Sequence, residues 1–189
     1  MTRWLWIWFC LLMSFPLMPP ASAIRADGVK PPAAARKWGG PLARVIDHLD
    51  YVPGHKTSGA ELRGHVVVAE IWAFACVNCE RTLPAMKSLS RRYHDTDVRI
   101  LSIHTPELEK ERDPDQVAKA VEADGIDWPV ALDPEGVAWD ALQNRYWPCL
   151  YLLDRDGKVV YRHIGELHEG TDEWKEMLKR IEELRSPQG

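Results

Sequence analysis

The sequence predicts an α/β fold, a mixed central sheet flanked by helices on both faces. Three observations carry that prediction. Residues 65–74 hold an apolar run, Val66-Val67-Val68-Ala69 and Ile71-Trp72, with no polar side, which suits a strand buried on both faces as in a parallel sheet. A helical pattern follows, with Leu83, Met86, Leu89, Ser90 and Tyr93 on one face and Arg81, Lys87, Arg91 and Arg92 mostly away from it. Downstream, the order is strand, helix, then a hairpin and a last helix, so the sheet holds parallel and antiparallel pairs.

The chain has 189 residues, enough for one domain with a real core. Its 46% hydrophobic and 28% charged residues are ordinary for a globular protein. Net charge is −4 with no basic block, which gives a nucleic-acid partner no electrostatic support. Four cysteines are too few for a disulfide scaffold, so their placement matters more than their number. No internal repeat is present.

Residues 1–23 read as a secretory signal peptide: basic Arg3, a short apolar middle, and Ala21-Ser22-Ala23 at the end. The apolar part is short for a span, and Pro16 disfavours a continuous helix. The rival is an uncleaved anchor through residues 4–18. Cys10 follows bulky Phe9, where lipoprotein signals have a small residue, and belongs to the discarded signal segment. Export places the remaining thiols in an oxidising compartment, periplasmic or otherwise outside the cytosol. Residues 24–41, rich in Ala, Pro and Gly, read as a semi-extended linker, and residues 42–189 as the domain.

Within the domain, residues 45–52 alternate in part like a strand, ended by Pro53-Gly54, and residues 58–64 read as a turn. The apolar strand comes next. Glu70 interrupts it, and a buried carboxylate costs several kcal/mol unless paired or protonated. Two readings follow: a Glu at the sheet edge or paired with a Lys, or a proton acceptor behind the thiols. The helix after Cys79 should kink at Pro84. Residues 98–103 read as a strand, and Asp113-Pro114 starts a helix to about Gly125, with Val117, Ala120 and Val121 inward. Residues 128–132 are extended, and Asp133-Pro134 opens a helix to about Gln143. Residues 148–153 and 158–163 form a hairpin around Asp154-Arg155-Asp156-Gly157. A helix from about Thr171 to Leu184 packs Trp174, Met177, Leu178 and Ile181.

Cys76 and Cys79 stand where the buried strand gives way to the helix. Unpaired N–H groups and the dipole at a helix start favour an anion, and the thiolate is the nucleophile. The rival readings of the pair are a stable surface disulfide and half of a zinc site, but a buried strand, the pair and then an amphipathic helix is a strong redox signal. Zinc normally needs four ligands, and the seven histidines (48, 55, 65, 94, 104, 163 and 168) are scattered.

The stretch Glu70-Ile71-Trp72-Ala73-Phe74-Ala75-Cys76-Val77-Asn78-Cys79 resembles the active-site strand of the thioredoxin superfamily, which has an acidic residue six positions before the first cysteine. That family usually has Trp just before the first cysteine; here it is Ala75. The resemblance implies a thioredoxin-like fold, and it implies that Trp147–Pro148 is cis and faces the two cysteines. Residues 103–107, the Asp113-Pro114 start, and Asn144-Arg145-Tyr146-Trp147-Pro148 with Tyr151-Leu152-Leu153-Asp154 are similar to the thioredoxin-like domain of DipZ-type proteins, near the TlpA- and ResA-like exported thiol-disulfide oxidoreductases. The match covers roughly residues 58–168.

The resemblance implies a thiol-disulfide oxidoreductase with no organic cofactor, acting on exported proteins; reduction, oxidation and isomerisation all use these thiols, family likeness favours a reductant, and a monomer is expected. Cys76 attacks a disulfide, Cys79 resolves the mixed disulfide, Glu70 deprotonates Cys79, and Trp147 and Pro148 hold the substrate chain. DipZ-type proteins carry a membrane electron-transfer domain, so here a separate membrane donor is expected. Cys149 occupies a position where the family has a small or hydroxylated residue; it reads as core filling or as a third redox thiol near Cys79. Two rival functions are a copper or zinc chaperone using Cys76, Cys79 and a histidine such as His104, and a thiol peroxidase. Peroxidases of the superfamily place Thr three residues before the attacking cysteine, where this chain has Ala73.

Overall fold

Six strands form one sheet in the order β1-β4-β3-β2-β5-β6. The computed structural model describes residues 39–186, so the signal-like residues 1–23 and residues 24–38 of the linker lie outside it. The strands are β1 Asp50–Tyr51, β2 Val66–Trp72, β3 Val98–His104, β4 Val130–Leu132, β5 Cys149–Leu153 and β6 Val159–Ile164. β2, β3 and β4 are parallel, whereas β5 pairs antiparallel with β2 and β6, and β1 with β4.

All seven residues of β2 are buried, as a strand without a polar side requires. Val66, Val68 and Trp72 face a core built with α3 (Val77–Tyr93), α4 (Pro114–Ala123) and α6 (Asp172–Arg185). Val67, Ala69 and Ile71 face a second core built with α1 (Pro41–Val45), α2 (Gly59–Leu62) and α5 (Val137–Ala141). Helices therefore cover both faces. Each buried Val or Ile contributes about 1.5–3 kcal/mol, so six apolar residues outweigh the cost of the one carboxyl among them.

The strand expected over 45–52 shrinks to Asp50–Tyr51, because Pro41–Val45 is a helix and Ile46–His48 a 3₁₀ turn. Leu42 and Ile46, one helical turn apart, are both fully buried, and that spacing outweighs the partial alternation. The expected turn at 58–64 contains α2, capped by Ser58, whose Oγ accepts from Glu61 N and donates to Glu61 Oε2. α5 starts later than expected, at Val137, after Gly136 takes a left-handed φ of 72°. Pro84 lies inside α3, which continues on both sides of it. The inward stripe of α3 runs through Cys79, Thr82, Met86, Leu89 and Tyr93, with Leu83 and Ser90 only half-buried. Thr82 is tolerated there because its hydroxyl donates to Asn78 O and accepts from Leu167 N. The remaining helices and the hairpin lie where the sequence places them.

Candidate active site

β2 ends at Trp72, and four residues later Cys76 caps the N-terminus of α3. Cys79 lies in the first turn, its N–H donating to Cys76 O at 3.0 Å. Both thiols are free and mostly buried, and Val77 between them is 54% exposed. The first N–H groups of any helix have no partner four residues back, so this end favours negative charge. Two thiols so placed can close a disulfide ring and reopen it.

Strand parity puts Glu70 on the α3 face, beside Val68 and Trp72. β2 is an inner strand and Glu70 has no Lys partner among the described residues, so the edge and Lys-pair reading does not apply. Ser102 Oγ donates to Glu70 Oε2 at 3.0 Å and itself accepts from Trp128 Nε1 at 2.8 Å. Burial pushes the Glu70 carboxyl up to about 8, with the Ser102 bond opposing. Glu70 and Cys79 line the same pocket of about 240 Å³, together with Trp72, Glu80 and Asp124. The Cys79 thiol is pushed far above its ordinary range, first by burial, then by its bond with the Cys76 thiol; the N–H of Ala73 opposes this, and the charge of Glu70 adds to the rise. Glu70 is the buried carboxyl of that pocket.

Trp147 and Pro148 sit at the same end of the sheet. Cys149 pairs with Ile71, which places Pro148 level with the end of β2. The Trp147–Pro148 bond is cis. Trp147 Nε1 donates to Thr105 O at 2.9 Å, and Thr105 N donates to Trp72 O at 3.0 Å. The Trp147 ring packs on Trp139 at 4.1 Å between centroids. Buried Asp133 fixes this arrangement by accepting from Thr105 Oγ1, Ala138 N and Trp139 N, each at 3.0 Å. Asp133→Ala orphans three donors and is expected to cost about 2–4 kcal/mol in urea unfolding. A change below about 0.5 kcal/mol would mean that Asp133 does not brace this corner.

Cys149 is not near Cys79. Directly paired antiparallel residues share a face, so Cys149 lies beside Ile71 in the second core, across the sheet from both thiols. There it is 1% exposed, and burial raises its thiol to about 11. The core-filling reading fits this placement and the third-redox-thiol reading does not. His104, named as a metal partner, has Nε2 occupied as acceptor from Phe74 N at 3.3 Å. Burial lowers His104 to about 4, so the ring is neutral. Among the described residues no three His, Cys, Asp or Glu side chains gather as a metal group.

Three contributors escape sequence reading. Ser102 carries a signal, being a small polar residue between Leu101 and Ile103 in a mostly apolar strand. Asp133 was legible only as a helix start. Glu111 carries none, being one of three glutamates among residues 107–112 with nothing to mark it out; yet it is 1% exposed and accepts from Ala75 N at 2.7 Å.

A family model described as Redoxin matches residues 31–178. The chain belongs to the Redoxin family. This Redoxin chain is 39% identical over 115 residues to protein DipZ of Mycobacterium tuberculosis, covering 60% of this chain but 16% of that one. It is 28% identical over 132 residues to the thiol-disulfide oxidoreductase ResA of Halalkalibacterium halodurans, covering 69% and 72%. Among solved structures, a thiol-disulfide isomerase from Corynebacterium glutamicum superposes with a TM-score of 0.64 at 23% identity, over 72% of this chain and 91% of that one. A DsbE-type interchange protein from Chlorobium tepidum gives 0.61 at 20% identity, over 73% and 94%. The fold is thioredoxin-like. Among the described residues no helix is long and apolar enough to cross a membrane.

Proposed function

We propose that this chain is an exported protein disulfide reductase working through the Cys76–Cys79 couple. The observation that carries the reading is one arrangement: a capping Cys76, a hard-to-ionise Cys79 one turn on, and buried Glu70 in a shared pocket with it. Cys76 thiolate attacks a substrate disulfide, forming one S–S bond and expelling one substrate sulfur. Cys79 passes its proton to Glu70, attacks the Cys76 sulfur, closes the ring and expels the second substrate sulfur as a thiolate, and the two expelled thiolates take up protons from water and from Glu70. Trp147 and the backbone at Pro148 hold the extended substrate chain. The signal-like residues 1–23 support export, and residues 4–18 would serve as the anchor if uncleaved. Electrons come from a separate membrane donor, the domain acts as a monomer, and apocytochrome c is a substrate that family likeness suggests.

Equilibration of the protein with glutathione tests the direction. A potential near that of thioredoxin, about −270 mV, is expected, together with catalysed reduction of insulin. A value near about −120 mV would reverse the assignment to an oxidase. A metal chaperone would instead hold one equivalent of copper or zinc tightly when reduced.

A further inference from the structure

The loop that carries Cys76 is held by its backbone at each residue. The N–H of Ala73 faces the Cys79 thiol. Phe74 N donates to His104 Nε2 at 3.3 Å, Ala75 N to Glu111 Oε1 at 2.7 Å, and Cys76 N to Ala73 O at 3.2 Å. Of these partners Glu111 alone comes from outside the sheet, the loop and α3. It lies in the 3₁₀ turn Glu109–Arg112, and its Oε2 accepts from Glu107 N at 2.8 Å and Leu108 N at 2.7 Å. Arg112 does not neutralise it, being turned to Glu109 and Glu135.

Folding its own turn requires only the two local bonds through Oε2. The third bond does something else. At position 75 this chain has a single methyl group, too small to fix the loop by packing, and the backbone N–H at that same residue is what Glu111 holds. We propose that Glu111 is a positioning residue for Cys76, bracing the loop that Ala75 leaves without a side-chain anchor.

The consequence lies in ring closure. Oxidation by glutathione disulfide takes two electrons and two protons from Cys76 and Cys79, forms one intramolecular S–S bond and leaves two glutathione thiols. Its equilibrium constant scales with the effective concentration of one sulfur at the other. The helix fixes Cys79, but Cys76 is the capping residue, and its direction is set by the loop before it. A braced loop raises the effective concentration, and a loose one lowers it.

Glu111→Gln separates the two roles. Its single carbonyl oxygen can keep the two local N–H donors, which leaves the amide NH₂, a donor, against Ala75 N. The glutathione equilibrium constant of the full chain is expected to fall about tenfold, which is about 30 mV toward a more oxidising couple. The melting temperature should move by only a few degrees. An unchanged constant, with or without a lower melting temperature, leaves Glu111 a mere cap and overturns the proposal. If the variant does not fold, hydrogen exchange at the Ala75 amide of the wild type decides: protection of at least about 100-fold supports the brace, and an unprotected amide overturns it. The inference rests on the redox reading only for its effect on turnover. Ring closure against glutathione needs no protein substrate, so a wild type that forms the ring but reduces no insulin would sink the proposed function and leave the brace standing.

Discussion

Cys76→Ser is expected to abolish catalysed insulin reduction, a loss of roughly a thousandfold or more, because a serine hydroxyl at neutral pH is neither ionised nor a sulfur nucleophile. Cys79→Ser is expected to behave differently. Cys76 still attacks, but nothing inside the protein resolves the product, so a covalent mixed disulfide accumulates at Cys76. Mass spectrometry under non-reducing conditions reads this directly, and added small thiol should release the substrate. The asymmetry follows from position: Cys76 caps the helix at its positive end, whereas Cys79 is buried one turn further in and resists ionisation. Cys149→Ala serves as the control, since its side chain lies across the sheet. It should leave turnover within twofold while removing some core volume. A fully active Cys76→Ser protein, or adducts that form on Cys149, would end this account.

Much of this was legible because one signal served several levels at once. The run from Val66 to Trp72 shows its burial by lacking a polar side, and the same parity that hides Glu70 aims it at α3. The helix period after Cys79, the hairpin at Asp154 to Gly157 and the cap at Asp113 are local signals, and they hold. What stayed illegible was set by distant partners. The stretch over 45–52 alternates locally, but Leu42 and Ile46 turn it toward a helix because the second core needs both. Cys149 looked close to Cys79 along the fold, and only the pairing with Ile71 puts it on the other face. Glu111 sits in a run indistinguishable from solvated surface, and its burial depends on N–H donors supplied partly from 36 residues away. Sequence periodicity reports which way a residue faces; it does not report which loop will close over it.

Glu70→Gln is expected to slow the resolving step by about 10²-fold while raising stability in neutral and alkaline solution. The two effects share a cause. Folding raises the Glu70 carboxyl from its ordinary 4.5 to about 8, so between those values the folded protein keeps a proton that the unfolded chain has lost. Stability therefore falls as pH rises from about 4.5 to 8 and levels off above, at about 1.4 kcal/mol per pH unit and on the order of 3–5 kcal/mol in all. Glutamine has no proton to lose and keeps an acceptor for Ser102, so the variant escapes that loss. His104 works in the opposite sense: lowered from 6.5 to about 4, it makes stability rise with pH across that window. The two groups offset each other in the wild type between about 4.5 and 6.5, and in the variant the rise from His104 should emerge. Urea unfolding at pH 5, 6.5 and 8 reads this out, with the gap between variant and wild type widening at each step. Single-turnover release from the Cys76 mixed disulfide reads out the chemistry: the wild-type rate should climb with pH toward a midpoint near 8 as the carboxylate forms, and the variant should lack that midpoint. Equal rates with the same midpoint would remove Glu70 from the proton path. A stability gap that does not widen with pH would mean that Glu70 ionises freely where it stands.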